Sequence, residues 1–265
     1  MNNDGPSVKA TESSFRIIEA LEREGSAGVS ELARAVDLSK SAVYKHVQTL
    51  EQLGYLVRHG DDYYLSNRFL SLASRASERF PVALLRDVVE DLAETTGHVA
   101  NFIAHEGRNG IYVVCVNAYS DSDPANTEGD TAPFHATAGG KAILAFLPEN
   151  DRDLVLQREG LPKYTDKTIT DRGDLERELQ TVRDQRVAFD REEYLDGHQC
   201  VASPVLDRNR EPLGAISVSG DISQMSGKRL EEDVTGLVIS AARSIENELL
   251  SAERYRIENA PGDRS

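Results

Sequence analysis

The chain has 265 residues, a formal net charge of −15 and only 2 cysteines. That length supports one large or two ordinary domains, and two distant cysteines exclude a disulfide framework. No apolar run approaches the ~18 residues of a membrane span and no signal peptide opens the chain, so a cytoplasmic protein with no membrane partner is expected.

The acidity argues against a polyanionic partner such as DNA until its distribution is read. Residues 1–80 hold 10 Lys/Arg against 11 Asp/Glu, and residues 81–265 hold 20 against 34. Nearly all the excess negative charge is therefore C-terminal. Lys is scarce, 7 against 23 Arg. An acidic, Lys-poor surface suits a protein hydrated in concentrated salt, so a halophilic source is expected, with an acidic mesophilic protein as the alternative. In molar salt the Debye length is ~3 Å, and an acidic domain then repels DNA little.

Residues 11–24 read as a first helix, with Phe15, Ile18 and Leu21 on one stripe and Ile17 beside it. A short second helix covers residues 30–36, with Leu32 and Val36 four apart on one face. Asp37-Leu38-Ser39 is the turn, and Ser39 is a good N-cap for a third helix ending at Gly54. Val43, Val47, Leu50 and Leu53 form its buried stripe. The other face carries Ser41, Tyr44, Lys45 and Gln48, with Lys40 at the start. A cation, an amide, a hydroxyl and an aromatic edge are what a recognition helix offers to bases and phosphates; an ordinary solvated face is the alternative. Residues 55–58 and 63–65 flank the turn His59-Gly60-Asp61-Asp62, a winged arrangement. Its two Asp argue against deep insertion beside phosphate.

A connecting helix begins at Phe69, Leu70, Leu72 and Ala73 and is rich in Ala and Ser; it reads equally as a dimer seam or a plain linker. Phe80-Pro81 is a break, because the residue before Pro avoids the helical region. The expected domains are a helix-turn-helix domain over 9–66, the connecting helix over 67–80 and a second domain over 81–254, with a disordered tail over 255–265.

In the second domain residues 82–95 read as an amphipathic helix. Two strands follow across a turn at 106–109, then a polar surface loop over 120–131. Helices are expected over 139–147, 150–159 and 173–185. QCVASPVLD and LGAISVSGD form a hairpin through residues 209–212. A long last helix covers 229–254, with Leu230, Val234, Leu237, Val238, Ala241 and Ile245 inward. Strands interleaved with helices indicate an α+β fold with an antiparallel-dominated sheet covered by helices.

Three segments carry chemistry. FHATAGGKAILAFLP, residues 134–148, is a small-residue loop opening a helix, and the free N–H groups of Ala138 and Gly139 make an anion seat. FDREEYLDGHQCVASPV brings Asp190 and Cys200. GAISVSG offers Ser217 and Ser219, two apart on a strand and so on one face. Together they read as a pocket for a small organic acid: the serines donate, Asp190 accepts from a ligand hydroxyl, and Cys200 gives a compact wall.

Other chemistries fit less well. Cys200 with His198 or His135 would be a nucleophile pair only within hydrogen-bond reach, and His198 reads as part of a turn. His135, His198, Asp190 and Cys200 match no zinc spacing, so no metal is expected. Gly139-Gly140-Lys141 lacks the rest of a phosphate loop, so no nucleotide and no cofactor is expected, and Lys141 reads as pairing with an acid.

The order HATAGGKAILA, then D-x-E-E-Y-x-x-G-x-x-C-V-A-x-P-V from Asp190, then PLGAISVSG, resembles the IclR family of transcription regulators over roughly residues 9–252. The resemblance implies a winged helix-turn-helix domain followed by a GAF-like effector-binding domain. It also implies a dimer or dimer of dimers on a double-stranded DNA operator, a small carboxylate or aromatic acid effector, and catabolic target genes. By position, the family's effector pocket falls on the backbone of Ala138 and Gly139 and on Asp190, Cys200, Ser217 and Ser219. Two residues depart from the family pattern. His46 stands where an aliphatic residue is usual and reads as a half-buried structural histidine. Lys45 stands for the commoner Arg and forgoes bidentate guanine readout.

Overall fold

The structure is a computed structural model that describes residues 8–78, 80–107, 109–118, 126–225 and 227–258. The chain divides after Phe80 into two compact units.

In the first unit, helices α1 (Lys9–Glu24), α2 (Val29–Ala35) and α3 (Lys40–Gln52) precede a hairpin of β2 (Leu56–His59) and β3 (Asp62–Leu65). Strand β1 (Ala27–Gly28) pairs with β3 and completes a three-stranded sheet in the order β1-β3-β2. Two residues of β1 carry no alternation, so the sequence gives no sign of it. Ile17, Leu21, Leu32, Val36, Val43 and Val47 pack into one core. Ser39 caps α3, accepting from the Ala42 N–H at 3.3 Å. Arg68 closes its other end, donating to the Leu53 carbonyl at 2.8 Å while stacking on Tyr55. Helix α4 (Phe69–Ser77) follows and buries no residue, with Leu70 and Leu72 exposed.

Two stripes differ from expectation. On α1 the inward residues are Ile17, Ala20 and Leu21, and Phe15 is 57% exposed. The core meets α1 on one side only, and Phe15 lies about 200° of helical rotation from Ile17. Leu53 is exposed because α3 ends at Gln52 and the chain turns away there.

The second unit opens with α5 (Val82–Thr96), closed by Gly97 in the left-handed region at φ 70°. Strands β4 (Val99–Glu106) and β5 (Asn109–Asn117) follow, then a short edge strand β6 (Thr131–Ala132) where the polar loop was expected to continue. Residues 119–125 of that loop lie outside the described ones. Helices α6 (Ala138–Phe146), α7 (Glu149–Glu159) and α8 (Arg172–Gln185) precede β7 (Ala188–Arg191), β8 (His198–Leu206) and β9 (Pro212–Asp221). The strands form one antiparallel sheet in the order β6-β5-β4-β9-β8-β7. Asp190 falls on β7 and Cys200 on β8, the two ends of the bent strand region that their spacing suggests. His198, expected in a turn, opens β8 opposite Asp221.

Helix α6 packs on one sheet face through Ile103, Ala202 and Ala215, and α8 packs on α6. Strand alternation sends Phe102, Val201 and Val218 to the other face, where α5 and the last helix lie. That helix begins as a π-helical segment, Arg229–Val234, and continues as α9 (Thr235–Glu258). Thr235 Oγ1 donates to the Leu230 carbonyl at 2.7 Å, spanning the wider turn. The wider turn also shifts the inward stripe: Val238, Ala242 and Ile245 are buried, Ala241 is only half-buried and Leu237 is exposed. Helix α9 runs to Glu258, into the stretch expected to be a disordered tail, and residues 259–265 lie outside the described ones.

The start of α6 is pressed onto its surroundings. A Cβ on Gly140 would fall 2.5 Å from the Phe134 Cα and carbonyl oxygen, and one on Gly139 would fall 2.3 Å from the Ile103 Cδ1. The first neighbour is backbone and cannot yield; the second is a side-chain tip and can. Gly140→Ala is expected to lower the thermal midpoint by roughly 5–10 °C in a circular-dichroism melt, and Gly139→Ala by clearly less. Equal shifts would show that α6 can lift from the Phe134 backbone.

Candidate functional site

A cavity of about 50 Å³ lies between the start of α6 and the sheet. Gly139, Asp190, Cys200, Ser217 and Ser219, five of the six residues expected at a pocket, line it. Ala138, the sixth, does not line it; its side chain is packed in the core, so only its backbone is free to take part.

Sheet register explains the convergence. Asp190, Cys200 and Ser219 stand side by side on β7, β8 and β9. One step along, Ala202, Ser217 and Asn101 stand side by side on β8, β9 and β4. Directly paired residues point to the same face, so both rows meet α6. Thr137 caps α6: its Oγ1 accepts from the Gly140 N–H at 3.1 Å. The Lys141 N–H bonds to the Thr137 carbonyl. That leaves the Ala138 and Gly139 N–H groups, the first two of the helix, without an intrahelical partner.

Charge is arranged unusually around this seat. Lys141 is fully buried and pairs with Glu193 at 2.6 Å and Glu178 at 3.5 Å. Among the described residues no Lys or Arg lines the cavity. Asp190 Oδ1 accepts the N–H groups of Glu193 (2.6 Å) and Tyr194 (3.3 Å). It thereby ties down the segment between β7 and β8 that brings Tyr194 and Leu195 to the cavity. Burial, reinforced by the neighbouring Glu193 charge, pushes the Asp190 carboxyl up to about 7, against the opposing pull of the Glu193 N–H and Lys141. Burial likewise pushes Glu193 above the usual carboxylate range and the Cys200 thiol far up, so Cys200 is a neutral thiol.

The rival chemistries find no geometry. His198 is exposed, with Nδ1 3.3 Å from the Asp196 carbonyl, and His135 Nε2 meets the Pro162 carbonyl at 2.9 Å. Neither histidine hydrogen-bonds Cys200, whose Sγ contacts the Val201 carbonyl. Among the described residues no three His, Cys, Asp or Glu side chains gather as a metal site.

Several lining residues were not anticipated, chiefly Asn101, Tyr112, Thr137 and Tyr194. Only the alternation of Asn101 with Ile103 hinted at a shared face; the rest depends on register and loop path.

In the first unit, Lys40, Ser41, Tyr44, Lys45 and Gln48 are all exposed on α3. Gln48 Nε2 donates to the Tyr44 hydroxyl at 2.8 Å, so these two act as one group. His46 is half-buried, with Nδ1 2.9 Å from the Ser14 hydroxyl on α1, and is part of the packing. At the hairpin tip Arg58 Nη2 lies 3.4 Å from Asp61 and its Nε donates to the Gly60 carbonyl at 2.8 Å.

Comparison with known proteins agrees with this architecture. The IclR C-terminal domain of bacterial transcriptional regulators matches residues 82–247, and the IclR helix-turn-helix domain matches residues 11–60. The transcriptional repressor IclR of Escherichia coli K12 is 31% identical over 232 residues, 84% of this chain and 83% of that protein. The crystal structure of Thermotoga maritima IclR superposes with a TM-score of 0.72 at 29% identity, over 91% of this chain and 97% of that one. An IclR homologue from Microbacterium hydrocarbonoxydans, crystallised with 4-hydroxybenzoate, shares the fold with a TM-score of 0.74 at 20% identity, covering 91% and 99%.

The perturbed carboxyl gives a ligand-free test. Asp190 in the folded chain ionises near 7 rather than at 3.8. Its contribution to stability is therefore fully present below the unfolded-state pKa and is lost as pH rises through the folded one. Asp190→Asn lacks that loss. The thermal midpoint of the variant is expected to gain on wild type between about pH 4 and pH 7 and to level off above that. A constant difference across that range would mean that Asp190 is an ordinary carboxylate.

Proposed function

Because the chain belongs to the IclR family, whose members are DNA-binding transcriptional regulators and not enzymes, we propose that it controls transcription by binding an operator through α3, under the control of a small organic acid held at the start of α6. The observation that carries this reading is the cavity itself. Unspent helix N–H groups, Ser217 and Ser219 converge there, with no lysine or arginine among the described residues of the lining.

A carboxylate at that place gains ~0.3–2 kcal/mol from the helix terminus. Its oxygens accept from the Ala138 and Gly139 N–H groups and from Ser217 and Ser219. Asp190, with one oxygen spent on Glu193 and Tyr194, keeps Oδ2 for the ligand and, once protonated, donates from it. Cys200 closes the wall as a neutral thiol. A space of about 50 Å³ is several times the volume a single water centre needs. It suits a short aliphatic acid better than an aromatic one. That an IclR homologue was crystallised with 4-hydroxybenzoate supports the acid class. Genes for the breakdown of such an acid are the expected targets.

On DNA, Lys40, Ser41, Tyr44, Lys45 and Gln48 face the major groove, and Arg58 rather than Asp61 or Asp62 meets phosphate from the wing. The exposed Leu70 and Leu72 of α4 favour the seam reading of that helix, and so a homodimer or dimer of dimers placing two α3 helices on one face of the operator. The site of action is the cytoplasm. The acidic, Lys-poor composition supports working in concentrated salt.

Two measurements test the two halves. In a mobility-shift titration Lys45→Ala combined with Gln48→Ala is expected to weaken operator binding at least ~10-fold; unchanged affinity removes α3 from the major groove. A thermal-shift screen of small hydroxy, oxo and sugar acids in high salt identifies the effector by the stabilisation it gives. Calorimetry on Ser217→Ala/Ser219→Ala is then expected to show that effector weakened about 100-fold. Full affinity in the double variant places the pocket elsewhere.

A further inference from the structure

Asn101 is a buried amide with nothing to hold. It is 3% exposed, lines the cavity and stands on β4 directly beside Ser217, with Cys115 on its other side. Its Oδ1 has no hydrogen-bond partner among the described residues. Its surroundings toward α6 are Ile103, Tyr112 and Cys115, which belong to the apolar core. A leucine would fill the same space at no polar cost. An unpaired buried amide instead forfeits ~1–3 kcal/mol.

The side chain offers two donors on Nδ2 and an acceptor on Oδ1. A hydroxyl answers both, accepting from Nδ2 and donating to Oδ1. An oxo group only accepts and leaves Oδ1 unanswered. A methylene answers neither. An ammonium only donates, and carries a charge into an apolar wall. Ser217 is the immediate neighbour of Asn101 in the sheet and one of the donors to the carboxylate. The group that Asn101 meets is therefore on the carbon next to that carboxylate.

Resting on the carboxylate seat above, we propose that Asn101 is the specificity residue of this pocket and that the effector is a short 2-hydroxy acid. The task assigned to Asp190 from sequence, acceptance from the hydroxyl, passes to Asn101, whose Oδ1 acceptor is unspent among the described residues.

The experiment uses the full-length protein in high salt and four three-carbon acids that differ only at C2: lactate, pyruvate, propionate and alanine. Calorimetry on wild type is expected to rank lactate ~10-fold or more above the other three. Asn101→Leu is expected to erase that advantage, bringing lactate within about threefold of propionate while propionate itself changes little. The ligand-free Asn101→Leu protein is expected to melt at the wild-type temperature or above it, because an unpaired amide has been replaced by an apolar side chain of similar volume. A residue held only for structure, or one bonded to a resident water alone, would give the opposite: a lower melting temperature and an unchanged order of ligands. That result overturns the inference. Equal binding of the four acids by wild type, or alanine above lactate, overturns it too and leaves the carboxylate seat standing. Failure of every acid to bind removes the seat along with it. Asn101→Ser, which keeps a hydroxyl of shorter reach, is expected to retain part of the lactate preference, and so separates lost hydrogen bonding from lost shape.

Discussion

The closeness of α6 to the sheet is the constraint from which the second unit's chemistry follows. Gly139 lies against the Ile103 side-chain tip, which a Cβ would force aside, and Gly140 lies against the Phe134 backbone at a distance no Cβ would tolerate. Glycine at these places costs conformational entropy. In return the positive end of a helix comes down onto a strand surface that carries Ser217, Ser219 and Asn101. A helix held at the usual ~10 Å would leave its first N–H groups pointing into side chains. Lowered this far, it leaves a space that small polar molecules fit and large ones do not.

The second constraint is how buried charge is neutralised. Lys141 follows directly on the small-residue turn and is wholly buried, a placement that is costly unless it is paired. Glu193 supplies the pairing, and Glu193 sits in the segment between β7 and β8. The same segment is fastened from below by Asp190, which accepts two of its N–H groups. Lys141, Glu193 and Asp190 thus join α6, β7 and the cavity wall in one network. Removing Lys141 alone would strand two carboxyls. The raised Asp190 carboxyl is a consequence: it lies buried beside Glu193, and Lys141, already committed to Glu193, cannot fully compensate. A half-protonated acid beside an anion seat repels an anion less than a carboxylate would.

Much of this was legible in the sequence because it rests on local patterns. The helix positions, the Ser39 cap and the break at Pro81 follow from periodicity and single-residue chemistry, and the structure places the helices within a residue or two, except that the last runs four residues further. The cavity motif was legible because glycine, serine and acid types cluster in three short segments. What could not be read is what depends on pairing between distant strands. Neither β1 nor β7 is long enough to show alternation, yet β7 sets the register that aligns Asp190 with Cys200 and Ser219. Asn101 was missed for the same reason, since only its register with Ser217 distinguishes it from any half-buried amide. Phe15, Leu53 and Leu237 were assigned inward because apolar residues at helical spacing were counted without knowing where each helix loses its neighbours.

The two halves of the chain meet one electrostatic condition in the same manner. The second unit is acidic, and among the described residues no lysine or arginine lines its cavity. On the reading proposed above, an anion there would be held by hydrogen bonds from neutral groups at contact distance. Such bonds are hardly touched by screening, whereas attraction acting over a Debye length fades as salt rises. On the same reading the site would select a monoanion, since a second negative charge would face Asp190 and Glu193. The exposed face of α3 follows the same logic. It carries two lysines and a paired Tyr44–Gln48 in place of a dense basic patch. Its contacts with a duplex would weigh toward base edges and single phosphates, with a shallow dependence on salt. Short-range recognition in both units suits a strongly acidic regulator, because its own net charge opposes DNA and would equally oppose the acid proposed as its effector.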